Sequence, residues 1–391
     1  MVRPSQRLHP ARTVVTPRPA ATMLLLRDSP AGPEVLMTRR AHQANFAAGA
    51  YVFPGGAIDA ADHASHALAQ HRPQQTGPVL TQAIAAIRES FEELDILLAY
   101  RADGAMAQAR DVASLDRLPP DGESFASQCA ARGLVLAADR LRHLARWIAD
   151  PNNTKRFDTA FFVARMPEGQ VPVADGTEQF EPEWVRPVDA LERHKAGSFF
   201  MIFPTIRTLQ RLCVYDSVES VLAACVGEGP LTHNATRTGL FAGVQTRFTN
   251  DEPAYDELLL VSPHGETVHN LDWRHDEPVA LLRNVQRLTD AATGANTYRV
   301  GDASTGYVVI SPEGVVHGTS PDREGRIVLA GPDVQHTLVM VHGAGWLLEE
   351  DGLLFATHPA GSSGAGAHAA SGVYAIEFIL PARGYVRRFT S

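Results

Sequence analysis

The chain has 391 residues and carries 44 Asp and Glu against 35 Lys and Arg, which gives a formal net charge of −9. A chain of this length predicts two domains, each able to bury a core of its own. The acidic balance argues against a nucleic-acid backbone as the main partner, because that kind of binding needs clustered Lys and Arg.

The cysteines and the hydropathy pattern indicate the compartment in which the protein works. Cys129, Cys213 and Cys225 form no C-x-x-C pair, so neither a disulfide framework nor a thiolate zinc site is indicated, and a reducing cytoplasm fits best. No apolar run approaches the roughly 18 to 20 residues that a membrane-spanning helix needs. Residues 1–17 are rich in Arg and Pro and have no apolar h-region, so we expect a disordered basic arm there.

The first half alternates strand and helix patterns. Strands are predicted over 21–27, 34–39 and 50–53, followed by a polar surface insertion at about 60–80 and a helix over 81–100. A helical, Ala-rich stretch is predicted over about 124–148. A strand over 157–165 and another at Trp184 follow, and further helices are predicted to begin at Pro187, Pro204 and Ser217.

The second half is predicted to be mostly β. Helical patterning stops at the Gly- and Pro-rich segment 227–230, which sets the predicted domains at 18–227 and 228–391. A Gly-, Ala- and Ser-rich stretch over 361–372 is typical of a flexible loop. Strands are predicted over residues 258–261, 279–282, 296–300, 306–310, 337–341, 345–348 and 353–356.

The helix over 81–100 is predicted to present three carboxylates on one side. At 100° per residue, Glu89, Glu92 and Glu93 fall within an arc of about 100°, and the apolar stripe that begins at Ile84 points away from them. Three like charges this close repel one another, and a cation with oxygen ligands such as Mg²⁺ would relieve that repulsion. An isolated E-x-x-E-E pattern is more often a solvated acidic face than a metal site, so the segment before the helix decides between the two interpretations.

Upstream lies Phe53-Pro54-Gly55-Gly56, a sharp turn where no Cβ hinders the approach of a ligand. Together with Arg88-Glu89-Ser90-Phe91-Glu92-Glu93, it resembles the Nudix box of a large diphosphohydrolase superfamily. The resemblance implies that Glu89, Glu92 and Glu93 ligate divalent metal, that Gly56 adds a backbone carbonyl, and that Arg88 orients the carboxylates. Glu92, Glu93 and Arg88 are then the catalytic candidates, with Mg²⁺ or Mn²⁺ as cofactor.

The chain departs from that box at three places. The segment between Gly56 and Arg88 is longer than usual, Leu80 stands where an upstream Glu is expected, and Asp95 replaces the Gly after the Glu pair. Asp tolerates the left-handed backbone better than most residues but less well than Gly. The long segment and the missing upstream Glu resemble a subgroup that includes mammalian peroxisomal coenzyme A diphosphatases.

Two further segments resemble that subgroup. Leu36-Met37-Thr38-Arg39-Arg40 is similar to its L-L-T-x-R motif, and Lys155-Arg156-Phe157-Asp158-Thr159 is similar to a downstream segment. Arg39 and Arg40, at a strand end near the Gly-Gly turn, are candidates for binding a phosphate, and Gly55 is a third substrate-binding candidate. Surface solubility is the alternative role for each arginine.

The sequence leaves the general base unassigned. The candidates are Glu178, Glu181 and Glu183 before Trp184, and Asp59 and Asp62 after the Gly-Gly turn, although such residues more often only solvate a loop. His63, His66 and His71 suit no regular face, and we expect them in a solvent-exposed loop rather than in a metal cluster.

The second half resembles a metallo-β-lactamase-like domain that has lost its metals. The segments 296–302, 306–312, 347–355 and 379–384 are similar to strands of that fold. Its H-x-H-x-D-H run is absent, Ala356-Thr357-His358 stands where T-G-D is expected, and Arg383 takes the place of the final His. A site without its ligands cannot hold a dinuclear centre, so we expect a catalytically silent domain. A residual site at His336, His342 and His358 is the alternative.

These observations predict an α+β, αβα Nudix fold, with a mixed sheet between helices, fused to a smaller, mostly β domain. The expected activity is metal-dependent hydrolysis of CoA or acyl-CoA to 3′,5′-ADP and a 4′-phosphopantetheine product. A Nudix hydrolase acting on another substrate, such as NADH or ADP-ribose, is the first alternative, and a non-catalytic CoA- or nucleotide-binding protein is the second. The expected partner is a small-molecule diphosphate, and no nucleic acid or membrane partner is expected. Dimerisation is one role that the second half could have, so a homodimer is possible.

Overall fold

The protein was analysed as a computed structural model, and its chain forms two compact units. The N-terminal unit comprises residues 17–149 and 156–234, and the C-terminal unit comprises residues 1–16, 150–155 and 235–391. The structure describes residues 8–302 except 45, 76, 118–122, 228, 272–276, 284 and 293–295, and beyond them the strand segments 306–310, 316–318, 336–341, 344–349, 354–359 and 374–375.

A curled mixed sheet forms the centre of the N-terminal unit. Its strands follow the order β10-β2-β1-β9-β8, with β3 beside β2 and β4 beside β1, and β1 and β9 run parallel while the other pairs are antiparallel. Three short strands, β5, β6 and β7, pair separately. The strands are β1 (Arg18–Ser29), β2 (Gly32–Arg40), β3 (Tyr51–Val52), β4 (Gly55–Ala57), β5 (Ala69–Gln70), β6 (Ala99–Tyr100), β7 (Val135–Ala137), β8 (Arg142–Ile148), β9 (Phe157–Arg165) and β10 (Gln179–Val185).

Helices cover both faces of this sheet. The apolar side of α2 packs on one face, and α5, α6 and α7 contribute to the core on the other. Strand β1 shows why both faces are apolar: Met23 and Leu25 lie in the first core, and Leu24 and Leu26 lie in the second. The helices are α1 (Ala60–Ala64), α2 (Gly77–Leu94), α3 (Ala109–Val112), α4 (Phe125–Ala131), α5 (Pro187–Lys195), α6 (Phe203–Leu212) and α7 (Val218–Ala224).

Most predicted elements of this unit are confirmed, and two are wrong in extent. The helix predicted over 81–100 ends at Leu94, because Asp95 adopts a left-handed backbone with φ of 56°. The helix predicted over 124–148 stops at Ala131, and residues 142–148 form strand β8 instead. The Ala-rich composition suggested a helix, but pairing with β9 and burial decide in favour of the strand.

The insertion at about 60–80 is more structured than predicted. It contains α1, a 3₁₀ turn over His66–Leu68 and β5, and α2 already begins at Gly77. Asp59 caps α1 by accepting a hydrogen bond from the Ala61 amide at 3.0 Å, and the Asp59 amide in turn donates to Asp62. The polar composition of the segment thus reflects capping as well as exposure to solvent.

The C-terminal unit is rich in antiparallel strands. The hairpin β11–β12, the run β13-β14-β15-β16-β17 and the run β18-β19-β20-β21 are its paired groups. The strands are β11 (Thr232–Phe241), β12 (Val244–Thr249), β13 (Val279–Leu282), β14 (Val285–Thr289), β15 (Asn296–Asp302), β16 (Gly306–Ile310), β17 (Val316–Gly318), β18 (His336–Val341), β19 (Ala344–Glu349), β20 (Leu354–Pro359) and β21 (Tyr374–Ala375).

One predicted strand of this unit is a helix. Residues 258–261 belong to α8 (Pro253–Val261), which starts with Pro at a position where its missing N–H costs nothing. Glu257 of α8 accepts hydrogen bonds from the buried Arg287 of β14 at 3.0 and 3.1 Å and contacts His269 at 2.8 Å. The short apolar run alone could not distinguish a strand from a buried helix.

Several predictions for the C-terminal half lie outside the described residues. They include the loop over 361–372, His342, the side chains of His336 and His358, and Arg383. Arg12 of the predicted basic arm donates to the carbonyl oxygens of His264 at 3.0 Å and Pro151 at 2.8 Å. Within the described part of the chain, every helix is too short or too polar to cross a bilayer.

Candidate active site

Helix α2 brings its carboxylates to the Gly-Gly turn. Its buried apolar side anchors it in the core, and Arg88, Glu89, Glu92 and Glu93 lie on the side that faces β4 and its surroundings. The Glu93 side chain is nearly buried, with 6% of the residue exposed, whereas the Glu92 side chain keeps 34% of its surface exposed. The interpretation as a fully solvated acidic face is therefore wrong for Glu93.

Both glycines of the turn are required by close contacts. The Gly55 amide donates to Glu93 Oε2 at 2.9 Å, and a Cβ on Gly55 would lie 2.3 Å from the Ala21 carbonyl oxygen. A Cβ on Gly56 would lie 2.4 Å from Oε1 of Glu89. The Glu89 carboxylate thus packs directly on the Gly56 backbone, which places it beside the predicted carbonyl ligand.

Arg88 is the hub of the site. Its Nη1 donates to Glu89 Oε1 at 2.9 Å and to Glu92 Oε2 at 2.8 Å, and its Nη2 donates to the Ala57 carbonyl oxygen at 3.0 Å. Its Nε and Nη2 also donate to the two oxygens of Asp62, at 2.9 and 3.0 Å. A planar guanidinium with five N–H groups suits this arrangement, and a lysine would not.

Asp62 is a site residue whose role the sequence did not reveal. It belongs to α1, in the insertion, and its side chain is only 2% exposed. Because both of its oxygens already accept hydrogen bonds from Arg88, the structure supports an anchoring role and does not support Asp62 as the general base. The sequence separation of 26 residues between Asp62 and Arg88 hid this pair from local patterns.

Burial changes the acid–base properties of the cluster. It raises the pKa of Glu89 to about 7 and that of Glu93 to about 8, with repulsion from Glu92 and Glu89 respectively adding to the shift. The pKa of Glu92 is raised for the same reason, and Arg88 opposes the shifts of Glu89 and Glu92. Concentrated negative charge is therefore costly here, which is the condition that a bound cation relieves.

The donor chemistry of the cluster fits a divalent cation, because carboxylate oxygens are ligands that Mg²⁺ and Mn²⁺ accept. Within the described residues, however, no three carboxylate, imidazole or thiol groups are gathered as a metal site. Glu89 and Glu92 accept from Arg88, and Glu93 accepts from Gly55 and from Gln179 at 2.8 Å. The predicted ligands are neighbours, and each is held by a protein donor.

The two candidate phosphate-binding arginines differ. Arg39 donates to both oxygens of Glu181, at 2.8 and 2.5 Å, so its charge is already paired. Arg40 has a buried Nε that meets no hydrogen-bond acceptor among the described residues, and its charge acts on Glu93 to lower the pKa of that carboxyl. Arg40 is thus the better placed of the two to receive an anionic group.

The remaining candidates for the general base differ in how near they lie to the α2 carboxylates: burial raises the pKa of Glu92, and the charge of Asp59 is close enough to add to that rise. Glu181 binds Arg39, Glu183 binds Arg193, and Glu178 lies exposed next to strand β10. Asp59 caps α1. None of these contacts brings a carboxylate to α2, so the general base is still unassigned.

The predicted exposed histidines are partly tied to α2. Nε2 of His66 lies 2.8 Å and Nδ1 of His63 lies 3.2 Å from the Thr81 hydroxyl, whereas His71 contacts only the neighbouring Arg72 carbonyl. These contacts secure the insertion to the start of the helix; His63 is exposed as expected, and the expectation of a wholly solvent-exposed loop is wrong for His66, which is partly buried.

Residues 70–212 match the family described as the NUDT19 Nudix domain. The chain is 26% identical to acyl-coenzyme A diphosphatase NUDT19 of Homo sapiens, over 54% of this chain and 68% of the relative. It is also 26% identical to acyl-coenzyme A diphosphatase NUDT19 of Gallus gallus, over 52% of this chain and 70% of the relative.

Among solved structures, a NUDIX hydrolase from Alicyclobacillus acidocaldarius is similar at 28% identity and a TM-score of 0.48, over 54% of this chain and 97% of that chain. By the family match and the curated relatives, this part of the chain is similar to Nudix domains of the NUDT19 type. These similarities support a Nudix pyrophosphatase enzyme, and enzymes of this kind generally use divalent metal ions.

Proposed function

We propose that this enzyme hydrolyses the diphosphate of CoA or acyl-CoA in a metal-dependent reaction, releasing 3′,5′-ADP and a 4′-phosphopantetheine product. The observation that carries the proposal is the carboxylate cluster of α2, packed against the Gly-Gly turn and joined by Arg88. The substrate is suggested by the names of the relatives and by the L-M-T-R-R strand.

Glu89, Glu92, Glu93 and the Gly56 carbonyl would hold Mg²⁺ or Mn²⁺. When bound, the cation supplies charge neutralisation of the diphosphate and a water of lowered pKa. The water oxygen forms a bond to one phosphorus, the bridging P–O bond on that phosphorus breaks, and two phosphomonoesters result. The water proton passes to a base that is still unassigned.

The protein residues have distinct tasks in this proposal. Arg88 orients Glu89 and Glu92, and Asp62 holds Arg88 in place. Arg40 binds a phosphate oxygen, because its charge lies near Glu93 and its Nε has no acceptor among the described residues. Arg39 contributes less, since Glu181 already neutralises it. The Gly55 amide serves Glu93, so Gly55 shapes the site rather than binding substrate directly.

A substrate panel tests the assignment. Purified protein with Mg²⁺ or Mn²⁺ is offered CoA, an acyl-CoA, NADH and ADP-ribose, and the products are separated by chromatography. We expect 3′,5′-ADP from CoA and from acyl-CoA. Turnover of NADH or ADP-ribose without turnover of CoA would refute CoA as the substrate. Turnover of none of the four compounds would favour the non-catalytic CoA- or nucleotide-binding protein.

We further propose that residues 228–391 form a metallo-β-lactamase-like domain without catalytic metals. Its support is the sequence resemblance, together with the antiparallel strands of that region and the engagement of His269 with Glu257. Zinc bound at near-stoichiometric level in the purified full-length protein would contradict this proposal. A cytoplasmic location and a homodimer stay predictions, the first motivated by the three free cysteines.

A further inference from the structure

The Glu93 carboxylate is held on both oxygens by groups outside its own helix. The Gly55 amide donates to Oε2 at 2.9 Å, and Nε2 of Gln179 donates to Oε1 at 2.8 Å. Gln179 is fully buried and opens strand β10, far from α2 in sequence. A glutamine in this position carries no charge, so its contribution to Glu93 is directional rather than coulombic.

The other end of the Gln179 amide meets the L-M-T-R-R strand. The Thr38 hydroxyl donates to Oε1 of Gln179 at 2.7 Å, and Thr38 is fully buried. Strands β2 and β10 pair with Gln179 opposite Arg40, two residues after Thr38, so Thr38 and Arg40 share the side of β2 that Gln179 faces. A continuous chain of hydrogen bonds therefore runs from Thr38 through Gln179 to Glu93.

The chemistry of Thr38, Gln179 and Glu93 allows only one direction for this series of hydrogen bonds. In the ionised form that would ligate a cation, the Glu93 carboxylate only accepts hydrogen bonds, so the NH₂ end of the Gln179 side chain faces Glu93 and the oxygen end faces Thr38. There the hydroxyl supplies the donor that the buried oxygen needs. Without that hydroxyl, the amide oxygen would be buried without a partner, and the amide would be free to turn.

The backbone around Gln179 is fixed by the end of α2 itself. The amides of Val173 and Asp175 donate to the Leu94 and Glu93 carbonyl oxygens at 2.9 and 3.0 Å, which satisfies the last turn of the helix. The Asp175 carboxylate in turn accepts a hydrogen bond from the backbone N–H of Gln179 at 2.8 Å. The segment that caps the helix is thus the same segment that delivers Gln179.

We propose that Thr38 and Gln179 are positioning residues for the divalent cation: through the Gln179 amide, the Thr38 hydroxyl fixes the Glu93 carboxylate against the Gly-Gly turn in its ligating orientation. The inference rests on the proposed function for the identity of the cation, and it assigns a task to the threonine of the L-M-T-R-R strand. In this proposal Thr38 acts through Gln179, whose Oε1 accepts from its hydroxyl, and has no direct role toward substrate or cation.

The test compares Thr38→Val, which keeps the shape and loses the hydroxyl, with Thr38→Ser, which keeps the hydroxyl. Gln179→Met removes the amide at similar length and serves as a second, independent variant. Mn²⁺ binding to each full-length protein is measured by isothermal titration calorimetry without substrate, and thermal unfolding verifies that each variant is folded. We expect Thr38→Val and Gln179→Met to weaken Mn²⁺ binding by about 10-fold or more, and Thr38→Ser to bind like the wild type.

Equal Mn²⁺ affinity in the wild type, Thr38→Val and Gln179→Met would overturn the proposal, and so would a loss in Thr38→Ser as large as that in Thr38→Val. Because calorimetry needs no turnover, the outcome is separate from the substrate panel. A wild type that binds Mn²⁺ but hydrolyses no substrate would refute the proposed activity and leave the positioning role to be decided by the variants.

Discussion

At the scale of single residues, the site depends on two adjacent glycines, and adding a side chain has a different consequence at each of them. A Cβ on Gly55 would meet backbone atoms, at 2.3 Å from the Ala21 carbonyl oxygen and 2.7 Å from the Thr22 Cα. The three atoms nearest to a Cβ on Gly56 would all belong to the Glu89 carboxylate, the end of a side chain that can move. The first contact concerns folding, and the second concerns the position of a predicted ligand.

We therefore expect Gly55→Ala to lower the free energy of unfolding by about 1–3 kcal/mol, as strained backbone does. Gly56→Ala should change stability less and should weaken Mn²⁺ binding, because Glu89 must leave its place. Chemical denaturation and calorimetry measure the two effects. Gly229→Ala is the control, since Gly229 is exposed and a Cβ there meets nothing within 4 Å. Equal behaviour of the two site variants in both measurements would contradict this distinction.

The raised pKa values of Glu89, to about 7, and Glu93, to about 8, predict a pH dependence of stability. The folded protein holds these protons at higher pH than the unfolded chain, whose glutamates titrate near 4.5, so the stabilisation is complete at low pH and is lost as pH rises through 7 to 8. Saturating Mg²⁺ should oppose this loss, because cations bind the ionised carboxylates.

Denaturation curves at several pH values from 5.5 to about 8.5, with EDTA or with Mg²⁺, measure this effect. Glu93→Gln should flatten the decline in EDTA, because it removes the group with the higher pKa. Wild-type stability in EDTA that is constant or rises over this pH range would refute the assignment.

At the scale of elements, helix α2 was predictable because its apolar spacing is strong and its carboxylates follow from the same period. Strand β1 was predictable from an unbroken apolar run that both faces of the sheet require. Residues 142–148 were not, since Leu144, Ala145 and Ile148 are also compatible with helical spacing, and only pairing with β9 selects the strand.

The insertion illustrates a contact that no local pattern encodes. Its composition predicted an exposed loop, yet α1 brings Asp62 to Arg88, and the 3₁₀ turn that follows brings His66 to Thr81. The capping residues Asp59 and Asp62 were visible in the sequence, but their use in an N-terminal capping box was not recognised. The insertion thus helps to hold Arg88 and the start of α2 in position.

We expect Asp62→Asn to lower the free energy of unfolding by about 3 kcal/mol, because it leaves the buried Arg88 without its bidentate partner. It should also reduce Mn²⁺ binding, since Arg88 orients Glu89 and Glu92. Asp103→Asn removes an exposed ion pair with Arg101 and should cost about 1 kcal/mol or less. Similar losses of stability in the two variants would show that the Asp62–Arg88 pair contributes no more to stability than an exposed ion pair.

At the scale of the whole molecule, the sequence predicted two parts of different character, and the structure divides the chain into two compact units. The division differs in detail, because residues 1–16 and 150–155 count with the C-terminal unit. The carboxylates, the Gly-Gly turn and the arginines of the site were predicted from motifs. Asp62, Gln179 and Thr38 acquired roles only through side-chain contacts between distant segments.

The central claim is that the carboxylates of α2 support metal-dependent diphosphate hydrolysis. Its most direct test measures the rate of 3′,5′-ADP release from CoA by the full-length protein in Mg²⁺, in EDTA, and for Glu92→Gln in Mg²⁺, with Glu168→Gln as the control at an exposed position. We predict that EDTA and Glu92→Gln each lower the rate by about 100-fold and that Glu168→Gln leaves it unchanged. Hydrolysis that persists in EDTA, or a Glu92→Gln variant as active as the wild type, would contradict the account.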